Sequence, residues 1–163
     1  MPLFKLVNAD WEMSFGMAAT IILEKHAQRR WYQRESVGQL FTRDLTKPVI
    51  VLDVATVLKS RRSSWASVTF DTDEAMRQRE DMLRQGLYCV GLWHTHPEAE
   101  PKPSGTDDRL AADHAEAARL LINGLVFVIV GNSPFPFEWY IGVHDGTTLH
   151  RMYPKTDPKQ NRP

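Results

Sequence analysis

The chain has a single cysteine, Cys89, among 163 residues. One thiol cannot close an intramolecular disulfide, and it cannot build a thiolate cluster for a metal. That usage suits a reducing compartment. Net charge is missing too, since 20 basic side chains balance 20 acidic ones. A protein that grips nucleic acid through its phosphates carries a basic excess. Bulk nucleic-acid binding is therefore disfavoured, although a local patch such as Arg61-Arg62 stays open. No stretch reaches the ~18 apolar residues of a membrane span. The opening segment, MPLFKLVNADWEMSFG, lacks the basic region and continuous apolar run of a signal peptide. A cytoplasmic protein with no membrane partner is expected. Internal repeats and low-complexity blocks are absent as well.

What is present is ordinary for a globular domain: 42% hydrophobic and 25% charged residues, in a chain long enough to bury a core. Helical offsets at Ile21, Ile22, Lys25 and Arg29 predict a helix over Met17–Arg30. Val37–Thr42 reads as a strand, as do the β-branched run Val49–Val57 and the alternating segment Ser64–Phe70. Asp71-Thr72-Asp73 starts a second helix, which Gly86 stops after Gln85. Leu87–Trp93 is an apolar strand. A proline-broken loop, Pro97–Pro103, then leads into an alanine-rich helix over Ser104–Ile122. Leu125–Val130, Phe137–Val143 and Thr148–Tyr153 complete the strands. The expected class is α/β, a mixed (α+β) sheet with helices packed on it. One domain spans residues 1–153, and 154–163 is read as a disordered polar tail.

The chemistry concentrates in His94-Thr95-His96-Pro97, followed by Ser104-Gly105-Thr106-Asp107. Histidines two apart on a strand point to the same face, and Pro97 ends the ladder beyond them. Zinc accepts imidazole nitrogen and carboxylate oxygen, and a catalytic site keeps one position open for water. His94, His96 and Asp107, the last from the first turn of the next helix, would supply three ligands. Each part has a plainer interpretation. Most isolated HxH pairs bind nothing, and S-x-x-D is also a helix-capping signal. Asp108 would face ~100° away from Asp107 and suits a solvated helix-start charge. His114 lies ~10 Å further along the helix, too far for the same ion. Glu98 and Glu100 are more naturally solvated than bound to substrate. His26, His144 and His150 have no partner motif, and Trp93 and Cys89 suit packing.

HTHP, six residues and SGTD together resemble the JAMM signature, H-[ST]-H-P-x(6)-S-x-x-D, at each defined position. Glu35-Ser36-Val37-Gly38-Gln39-Leu40 is similar to the E-x-x-G-x-L element that the family carries upstream. The resemblance covers roughly residues 17–153. It implies an MPN/JAB1 (cytidine-deaminase-like) fold and a zinc metallopeptidase or isopeptidase, with Zn2+ held by His94, His96 and Asp107. It also implies Glu35 as general base, taking a proton from the attacking water and passing it to the leaving amine. Ser104 would donate a hydrogen bond to the developing oxyanion.

GLWHTHPEAEPKPSGTDD most resembles the compact bacterial JAB proteins that accompany E1- and E2-like enzymes in antiphage operons, although Leu92 stands where that branch usually has an acid. In type II CBASS systems such a protein removes a conjugated nucleotidyltransferase, the cyclic-oligonucleotide synthase, from its targets. The implied partner is a protein substrate with an extended C-terminal tail, bound by strand addition. The alternatives are a deconjugase for a bacterial ubiquitin-like modifier, an enzyme trimming a sulfur-carrier protein, and a non-catalytic MPN scaffold. A RadC-like role fits less well, because Thr95 and Glu98-Ala99 replace that branch's usual residues.

Overall fold

The computed structural model describes residues 1–64, 67–135 and 138–155, with backbone alone over 61–64 and 67–69. In chain order the elements are β1 (Phe4–Lys5), β2 (Glu12–Phe15), α1 (Met17–His26), β3 (Val37–Thr42), β4 (Val49–Leu52), β5 (Val54–Ala55), β6 (Ser60–Ser64), β7 (Ser67–Phe70), α2 (Thr72–Arg84), β8 (Tyr88–Thr95), α3 (Gly105–Ala118), β9 (Leu125–Val130), β10 (Tyr140–His144), β11 (Leu149–Arg151) and β12 (Tyr153–Pro154).

β9, LVFVIV, is apolar at all six positions and buried along its whole length. Such a run suits a strand covered on both faces. It lies inside a six-stranded mixed sheet ordered β11-β10-β9-β8-β3-β5, parallel to β8 and antiparallel to β10. Its side chains divide by parity. Val126, Val128 and Val130 join Trp93, Ile141 and the α1 residues Ala19 and Leu23 in the main core. Phe127 and Ile129 pack on the other face with Leu92, Tyr140 and Ala111 of α3. A second sheet, β12-β1-β2-β4, closes the α1 side with Phe4, Met13, Phe15 and Leu52. This is the mixed α/β architecture expected from sequence, and no helix among the described residues is long and apolar enough to cross a membrane.

The differences from expectation are local. Val49–Val57 is two strands, because the chain leaves one sheet for the other at Asp53. Asp53 makes that corner: its amide donates to Phe41 O at 2.9 Å and its carboxylate accepts from Arg43 N at 2.8 Å. Ser64–Phe70 is not one strand either. Ser64 pairs with Ser67 between antiparallel β6 and β7, and Trp65 and Ala66 lie outside the described residues. α3 stops at Ala118, whose carbonyl accepts from both Leu121 and Ile122 N. Phe137 also lies outside the described residues, and its strand begins at Tyr140. Pro154, assigned from sequence to the tail, pairs with Phe4. Lys155 follows it, its amide donating to Leu3 O at 2.7 Å and its ammonium paired with Glu12. Residues 156–163 lie outside the described part.

Candidate metal centre

β8 carries His94 at its C-terminal end, on the same face as Leu92 and packed on Phe127 with ring centroids 5.3 Å apart. His96 continues the direction, and its amide donates to Val130 O at 2.9 Å. Pro97 then turns the chain into the loop that leads to α3. Ser104 is the N-cap of α3 and Asp107 is its third residue, locked in a capping box. Ser104 N donates to Asp107 Oδ2 at 2.8 Å, and Asp107 N donates to Ser104 Oγ at 3.1 Å. The cap aims the same carboxylate at both imidazoles. His94 Nε2 is 3.0 Å from Asp107 Oδ1, His96 Nε2 is 3.4 Å from Oδ2, and the two Nε2 atoms are 3.0 Å apart.

The ligand atoms of His94, His96 and Asp107 all lie within 4.8 Å of one another, close enough to hold a metal ion. The donor chemistry fits the zinc expected from sequence. Two imidazole nitrogens facing each other and a shared carboxylate form the N, N, O set that a borderline cation prefers. Burial alone would raise the Asp107 carboxyl. Hydrogen bonds from His94 and His96 outweigh it and hold the group well below the usual carboxylate range. For His96, burial lowers the imidazole, but Asp107, Glu98 and Glu35 together raise it above its ordinary value. His94 Nδ1 is buried with no hydrogen-bond partner among the described residues, so that ring is held by Asp107 at Nε2 and by packing on Phe127.

Glu35 is delivered by strand register. Val37 pairs with His94. One step on, Thr95 N donates to Ser36 O at 3.0 Å and Ser36 N donates to Thr95 Oγ1 at 2.9 Å. Glu35, the residue before Ser36, is half-buried, and its negative charge is among those that raise the His96 imidazole. The loop before it is braced by Gln28 Nε2 to Gln33 O at 3.0 Å and by Arg30 N to Gln33 Oε1 at 2.8 Å. His26 Nδ1 lies 3.2 Å from Ser36 Oγ. Gly38 is required by a close approach: a Cβ there would meet Thr56 O at 1.7 Å and Trp93 Nε1 at 2.5 Å. Trp93 Nε1 donates to that same Thr56 carbonyl at 2.9 Å, which makes it a packing residue.

The other sequence candidates fall outside the cluster. Asp108 is exposed, and His114 packs on Phe70 with centroids 5.4 Å apart. His144 is buried and accepts from Gly146 N, while His150 pairs with Asp145 on the surface. Glu98 is the residue that sequence reasoning undervalued. Its Oε2 lies 3.3 Å from His96 Nδ1. Only the path of the loop over Gly131 and Asn132 creates that contact, and no spacing rule signals it.

A mixed sheet flanked by helices, with two strand-end histidines and a helix-start aspartate close enough to hold a metal ion, is the arrangement of a JAB domain. Residues 20–142 match the family described as prokaryotic homologs of the JAB domain, and the chain belongs to that family. Over 51 residues it is 39% identical to a protein of Enterobacter hormaechei subsp. hoffmannii (strain UCI 50) called CD-NTase/cGAS isopeptidase. That similarity covers 31% of this chain and 28% of the Enterobacter protein. The fold resembles the solution structure of a Desulfitobacterium hafniense protein, with a TM-score of 0.64 and 20% identity over 86% of this chain and 90% of the other.

Proposed function

We propose that the chain is a zinc-dependent isopeptidase or peptidase that cuts after the C-terminus of a conjugated protein. The conjugated protein in this reading is a CD-NTase, the cyclic-oligonucleotide synthase of CBASS antiphage defence, released from its cytoplasmic targets. The observation that carries the reading is the convergence of His94, His96 and Asp107 within 4.8 Å. The substrate class is supported by the name of the Enterobacter relative.

His94, His96 and Asp107 would hold the ion. Bound zinc supplies a Lewis acid for the scissile carbonyl and makes water acidic enough to attack at neutral pH. Glu35, whose charge reaches His96, takes the proton of the attacking water and gives it to the leaving amine. Proton transfer by a placed side chain contributes ~10²–10⁴-fold in rate. Ser104 Oγ already accepts from Asp107 N, which leaves its hydroxyl proton to donate to the oxyanion, worth ~10²–10³-fold. The carboxylate of Asp107 stays ionised and keeps both imidazoles turned inward.

Capture from the native host with zinc-loaded Glu35→Ala as an inactive trap, followed by mass spectrometry, tests this. A CD-NTase joined to a target through its C-terminus is the expected catch. A ubiquitin-like modifier in its place would reassign the substrate. A trap that holds zinc and retains no conjugate would contradict the deconjugase reading.

A further inference from the structure

We propose that Glu98 is a positioning residue that fixes His96 for the metal, an inference that rests on the zinc reading of the cluster. A neutral imidazole carries one N–H, and only the bare nitrogen can bind an ion. His96 Nε2 faces His94 Nε2 at 3.0 Å and Asp107 Oδ2 at 3.4 Å, so it is the ligand atom. The proton must therefore sit on Nδ1, and Glu98 Oε2 waits 3.3 Å from that atom. A carboxylate on the far nitrogen of a ligating histidine holds both tautomer and ring orientation.

The chain holds Glu98 in turn. Asn132 N donates to Glu98 O at 2.9 Å, and Asn132 Nδ2 donates to Pro97 O. The loop lies directly on Gly131, where a Cβ would meet the carbonyls of Glu98 and Ala99 at 2.9 Å and Pro101 Cδ at 2.8 Å. His96 N donates to Val130 O, one residue before that glycine. The end of β9 thus anchors His96 and its carboxylate partner together. The two histidines are oriented by different means. Beyond Asp107, which both share, His94 is backed by packing on Phe127, and its Nδ1 has no partner among the described residues. His96 lies nearer solvent and takes a carboxylate instead.

Removing such a partner costs 10–100-fold in metal affinity, and the 61% exposure of the Glu98 side chain puts this case near the lower figure. Zinc affinity of the full chain, measured by competition with a chromogenic chelator, provides the test. Glu98→Ala is expected to bind zinc about 10-fold more weakly, with the melting temperature of the metal-free protein unchanged. Glu98→Gln should fall between the two, since its amide oxygen still accepts the Nδ1 proton. Wild-type affinity in Glu98→Ala overturns the proposal, and so does a Glu98→Gln affinity no better than that of Glu98→Ala. A wild-type chain that binds no zinc is a different result, because it removes the metal reading itself.

Discussion

At Asp107 one carboxylate closes the capping box and faces both imidazoles. Asp107→Ala should therefore lower zinc occupancy sharply in the purified protein, and unchanged occupancy would remove it from the ligand set. Glu35 comes from the segment before β3 and is not among the three ligand candidates, so Glu35→Ala should abolish turnover while metal analysis still finds one zinc per chain. Ser104 needs a subtler pair of variants. Losing an N-cap to alanine costs about 1 kcal/mol, and losing it to glycine only a few tenths. Ser104→Ala and Ser104→Gly should both lose ~10²–10³-fold in kcat if the hydroxyl stabilises the oxyanion. Denaturation should separate the two variants. Activity that instead followed stability would leave Ser104 as a cap alone. The grouping of the two histidines and Asp107 was legible because strand parity and a helix-start signal are local properties. Glu98 was not legible, since its contact with His96 depends on how the loop crosses the end of β9, far along the chain.

Strand β3 begins two residues after Glu35, and it packs only because Gly38 lets Thr56 and Trp93 close in. Gly38→Ala would force a Cβ to 1.7 Å from Thr56 O and break into the Trp93 hydrogen bond. Overpacking of this kind costs roughly 1–3 kcal/mol, occasionally more, and a lower melting temperature together with lost activity is the expected outcome. Helix α3 offers a pH test. His114 is lowered by burial and then by the charge of Arg79, against a smaller opposing effect of Asp113. The folded chain then binds this proton less readily than the unfolded chain. Its stability is full above the ordinary value of 6.5 and is lost as pH falls from there through the lower folded value. His114→Phe should flatten that acid-side loss in denaturation curves at pH 7 and pH 5. Long, strongly patterned elements such as β3, β9 and α2 could be read from the sequence. Periodicity could not reveal that Val49–Val57 changes sheets at Asp53. It also missed β1 and β2, because two- and four-residue strands carry too little pattern and depend on β12 and β4 for their pairing. Within α1 the buried stripe is Ala19 and Leu23, while Ile21 is exposed.

For the molecule as a whole, the proposed ion joins β8 to the start of α3, so metal binding and folding are linked. A ligand at 100 times its Kd stabilises by about 2.7 kcal/mol. For a chain of this size that raises Tm by roughly 5–10 °C. Zinc should produce that shift, and it should shrink in acid, where protons compete for the imidazoles. The global class was legible because apolar strands alternate with helices along the chain. The layering was not, since it depends on which face each of α1 and α3 covers. The claim of a metal-dependent isopeptidase is tested most directly on a CD-NTase joined through its C-terminal carboxylate to a lysine side chain. Intact mass would be followed with the zinc-loaded, chelator-treated and zinc-restored chain. Release of a CD-NTase with its C-terminus intact, lost on chelation and regained with zinc, is the predicted result. Cleavage that survives chelation, or a conjugate left whole by the zinc-loaded chain, would contradict it.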